Sequence, residues 1–284
     1  MFRTCLITIA LTFSSVAHAQ TVSTEPPKWI VTLGTTGAKV DGQDSQPAAN
    51  FSVTRVIGRG FVSLSGSVID SSNDLAPVGL VPTRIEVITL SGGRPIGQFL
   101  LNVHVSAGRG VFQQGLFAIT PTQNIAASSK ADGYGLGASI STNITLAENL
   151  MIIPNLGIDY SATRLNRAPI DRVTRSDQIE IKSDGATLSV GSALQTRFGA
   201  SHQHSLGIMA SVLRLENTTD FIHRAARVDP VVTTSQSADI LVDYGVTLSF
   251  ALTHSMGLNI SATRSAEAKG SQSTILGAGL YAAF

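Results

Sequence analysis

The sequence predicts an all-β protein, an antiparallel transmembrane β-barrel of about twelve strands, with ten or fourteen strands as the alternatives. The chain is apolar but poor in charge, since 43% of its residues are hydrophobic and 14% are charged. A typical soluble protein has roughly 25% charged residues. No stretch beyond the N-terminus reaches the ~18–20 apolar residues that a membrane helix needs. Long stretches instead alternate large apolar residues with small or polar ones, which is typical of strands with two different faces.

The N-terminus has the three parts of a cleavable secretory signal in their usual order. Arg3 supplies positive charge, an apolar run extends from Cys5 to Phe13, and Ala-His-Ala at residues 17–19 has the pattern of a signal peptidase site. We therefore predict a signal peptide at residues 1–19 and a short disordered lead-in at residues 20–28. Removal of the signal takes away Cys5, the only cysteine, and with it any disulfide or thiolate site.

Residues 237–252 show the alternation most clearly, because large apolar residues such as Tyr244 and Val246 share one face and small or polar residues share the other. The same separation predicts strands at residues 133–148, 149–165, 185–198, 205–217, 255–265 and 273–284. These runs exceed the ~5–6 residues of ordinary soluble strands and reach the ~9–11 that a tilted membrane strand needs. Within one of them, Val212 followed by Leu213 predicts a β-bulge that shifts the alternation.

The predicted connections in this half alternate between short and long. Short ones fall at residues 147–149, 199–202 and 253–255, and longer ones at residues 166–184, 218–236 and 267–272. Membrane barrels have short periplasmic turns and longer outer loops. The short connections and the C-terminus are therefore expected on the periplasmic side.

The first half has weaker signals. Strands are predicted near residues 29–39, 49–57, 60–70, 83–90 and 96–106, with 111–120 ambiguous and 121–130 a loop. Counting every segment gives thirteen strands, whereas single-chain bacterial barrels have even numbers. We therefore predict twelve strands in one barrel that spans residues 29–284, without a separate soluble domain.

The last predicted strand carries the most specific pattern. Leu276, Leu280 and the terminal Phe284 lie on one face, and Tyr281 lies on the other. An amphipathic strand that stops on an aromatic residue resembles the C-terminal signal of outer-membrane proteins. The resemblance implies recognition by the barrel-assembly machinery during insertion, through pairing at an exposed strand edge.

The region from residue 132 to the C-terminus also resembles the translocator β-domain of autotransporters. The similarity lies in Gly-Tyr-Gly-Leu-Gly-Ala from Gly133, Ile-Pro-Asn-Leu-Gly-Ile-Asp-Tyr from Ile153, and the ending Gly-Ala-Gly-Leu-Tyr-Ala-Ala-Phe. The resemblance implies a twelve-stranded barrel with a helix through the pore. The sequence differs from that family in one respect. We expect no passenger domain, because only residues 20–28 separate the predicted signal from the predicted barrel.

Four charged residues are candidates for lining the lumen. Asp159, Asp239 and Asp243 fall on the small, polar face of their strands, as does Arg197. Inward carboxylates could give a channel its cation preference. The favoured interpretation is that they pair with Arg197 or another inward cation and help to fill the interior, since the inward face of a barrel is polar in any case.

Catalysis, metal binding and nucleic-acid binding are all disfavoured. His202 and His204 could share one side of a strand, but a stable metal site needs three or four ligands, so we interpret them as turn residues in water. The sequence contains neither G-x-S-x-G nor H-E-x-x-H. The net charge of +1 gives no argument for nucleic acid. We predict no enzyme activity and no cofactor.

The predicted outer loops are rich in arginine, namely Arg164, Arg167, Arg172, Arg175, Arg224 and Arg227. Arginine is suited to bidentate phosphate contacts, so these residues are candidates for binding lipopolysaccharide, although loop solvation would also explain them. The predicted partners are thus outer-membrane lipid, lipopolysaccharide and the assembly machinery.

The sequence leaves two main functions open. The first is a passive pore-forming or structural barrel in the outer membrane of a Gram-negative bacterium. The alternative is a translocator-type barrel that secretes or displays a polypeptide. A soluble periplasmic β-protein is disfavoured because the apolar strand faces would form large patches in water.

Overall fold

The computed structural model describes residues 28–40, 46–70, 80–114, 128–167, 178–199, 202–224, 231–267 and 272–284. The predicted signal peptide and nearly all of the predicted lead-in lie outside these ranges.

The described chain is built from β-strands. In chain order they are β1 (Trp29–Val40), β2 (Gln46–Ile57), β3 (Gly60–Asp70), β4 (Leu80–Ile96), β5 (Phe99–Gln114), β6 (Ser128–Thr142), β7 (Ile144–Ala147), β8 (Leu150–Arg167), β9 (Gln178–Phe198), β10 (His204–Arg224), β11 (Val231–Ala251), β12 (Met256–Glu267) and β13 (Gln272–Ala283). No helix in these ranges has the length and hydropathy to cross a membrane.

The strands form one closed antiparallel barrel of twelve. The short β7 continues β6 after Asn143 and pairs with the same neighbour, β8, so the two count as one barrel strand. Closure occurs between β1 and β13, where Leu33 faces Leu280. At one end of this seam two backbone hydrogen bonds join the strands, from Trp29 N to Phe284 O at 2.8 Å and from Phe284 N to Trp29 O at 3.0 Å. The predicted fold and the prediction of twelve strands are confirmed.

The outward face is apolar along the whole circumference. Its large exposed side chains include Leu33, Phe51, Leu64, Ile88, Val105, Leu136, Ile158, Leu188, Ile208, Val246, Ile260 and Leu280. Successive side chains alternate across a strand, so the residues between these positions face the interior. A continuous apolar surface of this size is what a hydrocarbon environment requires.

Aromatic side chains lie on the outward face at the end of the barrel that has the short turns. The Arg55 guanidinium lies over the Trp29 ring, 5.3 Å from its centroid. Phe198, His204 and Phe250 form a ring cluster with centroid separations of 5.4–6.4 Å. Amphipathic and aromatic rings at this level are typical of a membrane interface.

The prediction that His204 is a turn residue in water is wrong. His204 begins β10, packs against the two phenylalanine rings, and accepts a hydrogen bond on Nδ1 from the Ala251 amide at 3.2 Å. His202 does lie in the turn before β10, with a positive φ of 53°.

The strands next to the outer loops are longer than predicted. Residues 178–184, 218–224 and 231–236 belong to β9, β10 and β11 rather than to loops, and Lys182 pairs with Asp220 in this extension. Most side chains on the outward face there are polar, with Ile222 and Val232 as exceptions, because the strands have passed the main apolar zone. The alternation of apolar and polar residues therefore ends before the backbone pairing between the strands does.

The bulge predicted at Val212 is also wrong. Val212 pairs in regular register with Val190 and Val242. The apolar run arises because Leu213 and Leu215 face the interior, where both are buried.

In the first half, the turn between β4 and β5 lies at residues 97–98, later than predicted. Residues 111–114, in the ambiguous segment, complete β5. Residues 115–127, which cover the rest of that segment and most of the predicted loop, lie outside the described ranges.

Candidate functional site in the barrel lumen

The middle of the lumen wall is made of small polar side chains. The inward positions there include Thr32, Asn50, Ser52, Ser63, Ser65, Ser91, Ser139, Ser211 and Ser261, and all are half-buried. Neighbouring hydroxyls bond to each other, as between Thr54 Oγ1 and Ser63 Oγ at 2.8 Å. Asn50 Nδ2 donates to Thr36 Oγ1 at 3.2 Å. Such a wall can be wetted, since every side chain offers a donor or an acceptor.

A histidine–aspartate contact spans this wall between β5 and β8. His104 Nε2 lies 3.0 Å from Asp159 Oδ1, and both side chains remain partly accessible. Gly137 on β6 lies between them in register. A Cβ atom at Gly137 would collide with the Asp159 carboxylate and the His104 ring. The missing side chain therefore lets the pair meet across an intervening strand.

This pair decides between two predicted partners and adds one residue. Asp159 was expected to pair with Arg197 or with another inward basic side chain, and its partner is His104. Arg197 is too distant, since Asp159 faces Thr187, which lies about 33 Å along β9 from Arg197 at ~3.3 Å per residue. Among the described residues Arg197 takes part in no ion pair. His104 was missed, although its place between Val103 and Val105 put it on the polar face.

Replacing Gly137 with valine is expected to separate His104 from Asp159 and to destabilise the barrel by about 1–3 kcal/mol, as overpacking does. Guanidinium unfolding of the refolded protein in lipid vesicles measures the loss. The matched control is Ala138→Val, the same final side chain on the lipid side of β6, for which little change is expected. Equal effects for the two variants would show that the space beside Gly137 is not critical.

A second group of polar atoms lies on the opposite wall. Asp243, Ser265 and Ser273 face one another in register on β11, β12 and β13. Asp243 Oδ1 and both serine Oγ atoms are buried and make no hydrogen bond of normal geometry with the described residues, although the Ser265 hydroxyl lies beside the Asp243 carboxylate. Buried polar atoms of this kind are normally satisfied by water or an ion. The arrangement can therefore hold water or a small cation. Asp239 faces inward four residues earlier on β11, opposite Leu215.

Apolar side chains take part in the lumen wall towards the end with the predicted outer loops. Leu213, Leu215 and Leu241 form a buried cluster with exposed fractions of 2%, 5% and 5%. Ile85 and Ile275, on β4 and β13, are buried as well. The lumen thus has a half-buried polar middle and, nearer the predicted outer loops, a more deeply buried layer in which apolar side chains lie beside hydroxyls such as those of Thr219 and Ser273.

Of the six predicted outer-loop arginines, Arg164 is the one whose side chain lies in the described part of the chain. It faces outward on β8, and its Nε lies 2.6 Å from Glu180 Oε1. Arg167 is the last residue of β8 and Arg224 is the last residue of β10, and their side chains are not among those that the structure describes. Arg172, Arg175 and Arg227 fall outside the described ranges altogether.

The predicted C-terminal signal lies on the closing strand. Leu276, Leu280 and Phe284 are exposed on the outward face, and Phe284 is the most exposed of the three. Tyr281 faces the lumen, half-buried and opposite Thr32 and Gly257. No group of three or more His, Cys, Asp or Glu side chains that could hold a metal occurs in the described ranges.

Sequence comparison finds no match, neither to a family model nor to a curated protein. Solved structures do match. The β-domain of the Bordetella autotransporter BrkA is 12% identical, with 92% of this chain and 100% of that chain covered and a TM-score of 0.56. The translocator domain of NalP from Neisseria meningitidis is 11% identical, with 92% and 90% covered and a TM-score of 0.58. The toluene transporter TbuX of Ralstonia pickettii is 8% identical, with 92% and 90% covered and a TM-score of 0.48.

At these identities the similarity shows the fold alone. The chain has the barrel fold of autotransporter translocator domains, and the resemblance inferred from the sequence is confirmed at that level.

Proposed function

We propose that this chain is a passive, non-enzymatic pore of the Gram-negative outer membrane, exported by its N-terminal signal. The observation that supports the proposal most is the contrast between the two faces of the barrel. The outward face is apolar around the whole circumference, whereas the middle of the lumen is lined by half-buried hydroxyl and amide groups. A closed barrel with this polarity suits small hydrophilic solutes.

The charges in the lumen favour cations. Asp159, Asp239 and Asp243 face inward, and Arg197 lies near the periplasmic mouth, far from all three. Asp243 is the most informative of the acids, because its buried Oδ1 makes no hydrogen bond of normal geometry with the described residues, although Ser265 lies beside the carboxylate. Carboxylates along a lumen attract cations and repel anions.

Planar bilayer recording tests the pore directly. The refolded barrel is expected to give discrete conductance steps and a reversal potential that favours K⁺ in a KCl gradient. Asp243→Asn should shift the reversal potential towards zero. The matched control is Asp220→Asn, which removes a carboxylate from the outward face and should leave the reversal potential unchanged. Wild-type protein that gives no steps, or equal shifts for both variants, would contradict the proposal.

A translocator role is the second candidate. It is favoured by the common fold with the BrkA and NalP domains and by the small side chains of the lumen wall, which leave space for a polypeptide. A reporter domain placed between the signal and Trp29 distinguishes the two functions. Protease added to intact cells should digest the reporter if the barrel is a translocator and should spare it if the barrel is only a pore.

A further inference from the structure

A row of charged residues crosses the outward face of the barrel at its outer end. Each member faces the next in register, on six neighbouring barrel strands: Glu86 on β4, Arg109 on β5, Asp132 on β6, Arg164 on β8, Lys182 on β9 and Asp220 on β10. We call these six residues the charged row. Charges on the lipid side of a barrel are costly in the hydrocarbon and tolerated at its edges.

The charged row borders the apolar surface. On β4, β5, β6 and β8 the outward positions two residues nearer the middle of the barrel are Ile88, Ala107, Tyr134 and Ala162, and the next ones are Leu90, Val105, Leu136 and Tyr160. On β9 and β10 the corresponding positions are still polar, Asp184 and Thr218. The two tyrosines lie where a membrane interface is expected. The charged row therefore begins at the depth of lipid headgroups.

At two places along the row, two exposed basic side chains contact one less exposed glutamate. Glu86 lies between Arg84 and Arg109, with both nitrogen–oxygen distances 2.7 Å. The two arginine side chains are 56% and 73% exposed, against 26% for the glutamate.

The second cluster repeats this arrangement on β8 and β9. Glu180 lies 2.6 Å from Arg164 Nε and 3.6 Å from Lys182 Nζ. The cations are 59% and 49% exposed, against 7% for the glutamate. Each cluster carries one more positive than negative charge and turns its positive groups outward.

We infer that these two clusters bind the phosphate groups of lipopolysaccharide, an inference that rests on the proposed outer-membrane location. A guanidinium has more N–H donors than one carboxylate can accept, so Arg84, Arg109 and Arg164 keep donors for phosphate oxygens. The β4–β6 part of the row lies at the depth of lipid headgroups, which favours a lipid as the ligand. Asp132 and Asp184 are exposed in the same region and would repel phosphate, so binding is expected to need a divalent cation such as Mg²⁺ in solution.

The slope of the row favours lipopolysaccharide over a phospholipid. Barrel strands tilt by ~35–45°, so a register row climbs roughly 3 Å along the barrel axis per strand. The two clusters therefore lie at different depths. A phospholipid carries its phosphate at one depth, whereas lipopolysaccharide carries phosphates on its lipid anchor and on its inner sugars.

Binding to the purified, refolded full-length barrel in detergent, with Mg²⁺ present, tests the inference. The probes are lipopolysaccharide, enzymatically dephosphorylated lipopolysaccharide, and vesicles of phosphatidylglycerol. The double variant Arg109→Gln with Arg164→Gln is expected to bind lipopolysaccharide at least about tenfold more weakly, as loss of a charge-assisted hydrogen bond predicts. The control Arg55→Gln, an outward arginine at the periplasmic rim, should bind like the wild type.

A second variant has the opposite expected effect. Glu86→Gln releases Arg84 and Arg109 from their carboxylate and should tighten binding, which a merely misfolded barrel would not do. Heat-modifiable migration confirms that each variant is folded.

Three outcomes would overturn the inference. They are equal binding of dephosphorylated lipopolysaccharide, equal binding of phosphatidylglycerol vesicles, and unchanged affinity of the double arginine variant. All are measured on purified barrel, so they are independent of pore activity and of the location found by cell fractionation.

Discussion

Replacing Leu64 with arginine is expected to destabilise the bilayer-embedded barrel by roughly 2–4 kcal/mol, the usual cost of arginine at the middle of the lipid face. Leu64 lies in the centre of β3, points outward, and faces Val53 and Leu90 on the neighbouring strands. The new guanidinium would be surrounded by hydrocarbon and would be far from either headgroup layer.

The matched control for this prediction is Ser65→Arg, one residue further along the same strand. Ser65 faces the lumen, where the arginine can reach water, so a clearly smaller loss of stability is expected. Urea or guanidinium unfolding in lipid vesicles measures both. Equal losses would mean that the two faces of β3 do not differ in environment, which would contradict the assignment of the outward face to lipid.

Replacing the terminal Phe284 with alanine is expected to lower the amount of barrel in the outer membrane several-fold. Phe284 is exposed on the outward face at the seam, so its side chain adds little to internal packing. Its backbone bonds with Trp29 do not depend on the side chain. The expected loss therefore comes from weaker recognition by the assembly machinery rather than from an unstable barrel.

Cell fractionation with heat-modifiable migration measures this effect. Phe250→Ala, which removes an outward ring from the same rim, is the matched control and should reach the membrane normally. Both variants should refold equally well in detergent. If Phe284→Ala also fails to refold in detergent, its role is structural. If the wild-type protein stays in the soluble periplasmic fraction, the outer-membrane location itself is contradicted.

The sequence predicted the strands best where they cross the hydrocarbon. There, lipid on one side and the lumen on the other impose alternation, as in the stretch around Tyr244. Beyond the apolar zone the outward face of β9 is polar, and its apolar residues, such as Ile181, fall on the inward face. The lipid-facing pattern therefore no longer marked the continuation of β9 and β10. Buried apolar residues in the lumen disturbed the pattern in another way. Because Leu213 and Leu215 are apolar but face inward, the alternation around Val212 wrongly suggested a bulge.

The sequence predicted which residues face the lumen but not which of them contact one another. Alternation alone put Asp159 and Asp243 on the inward face. The meeting of His104 with Asp159 depends on the register of three strands and on a glycine in the middle one, which no local pattern encodes. The charged row has the same origin, since its six members become neighbours only through register.

The seam between β1 and β13 has a kinetic consequence. All the other strand pairings join neighbours along the chain, so they can form as local hairpins with little loss of loop entropy. The seam joins Trp29 to Phe284 and cannot form until both of these distant segments are available. Contacts of such sequence separation form slowly. Until closure, the nearly complete sheet exposes two unpaired edges, β1 and β13, and those edges are where aggregation competes with assembly.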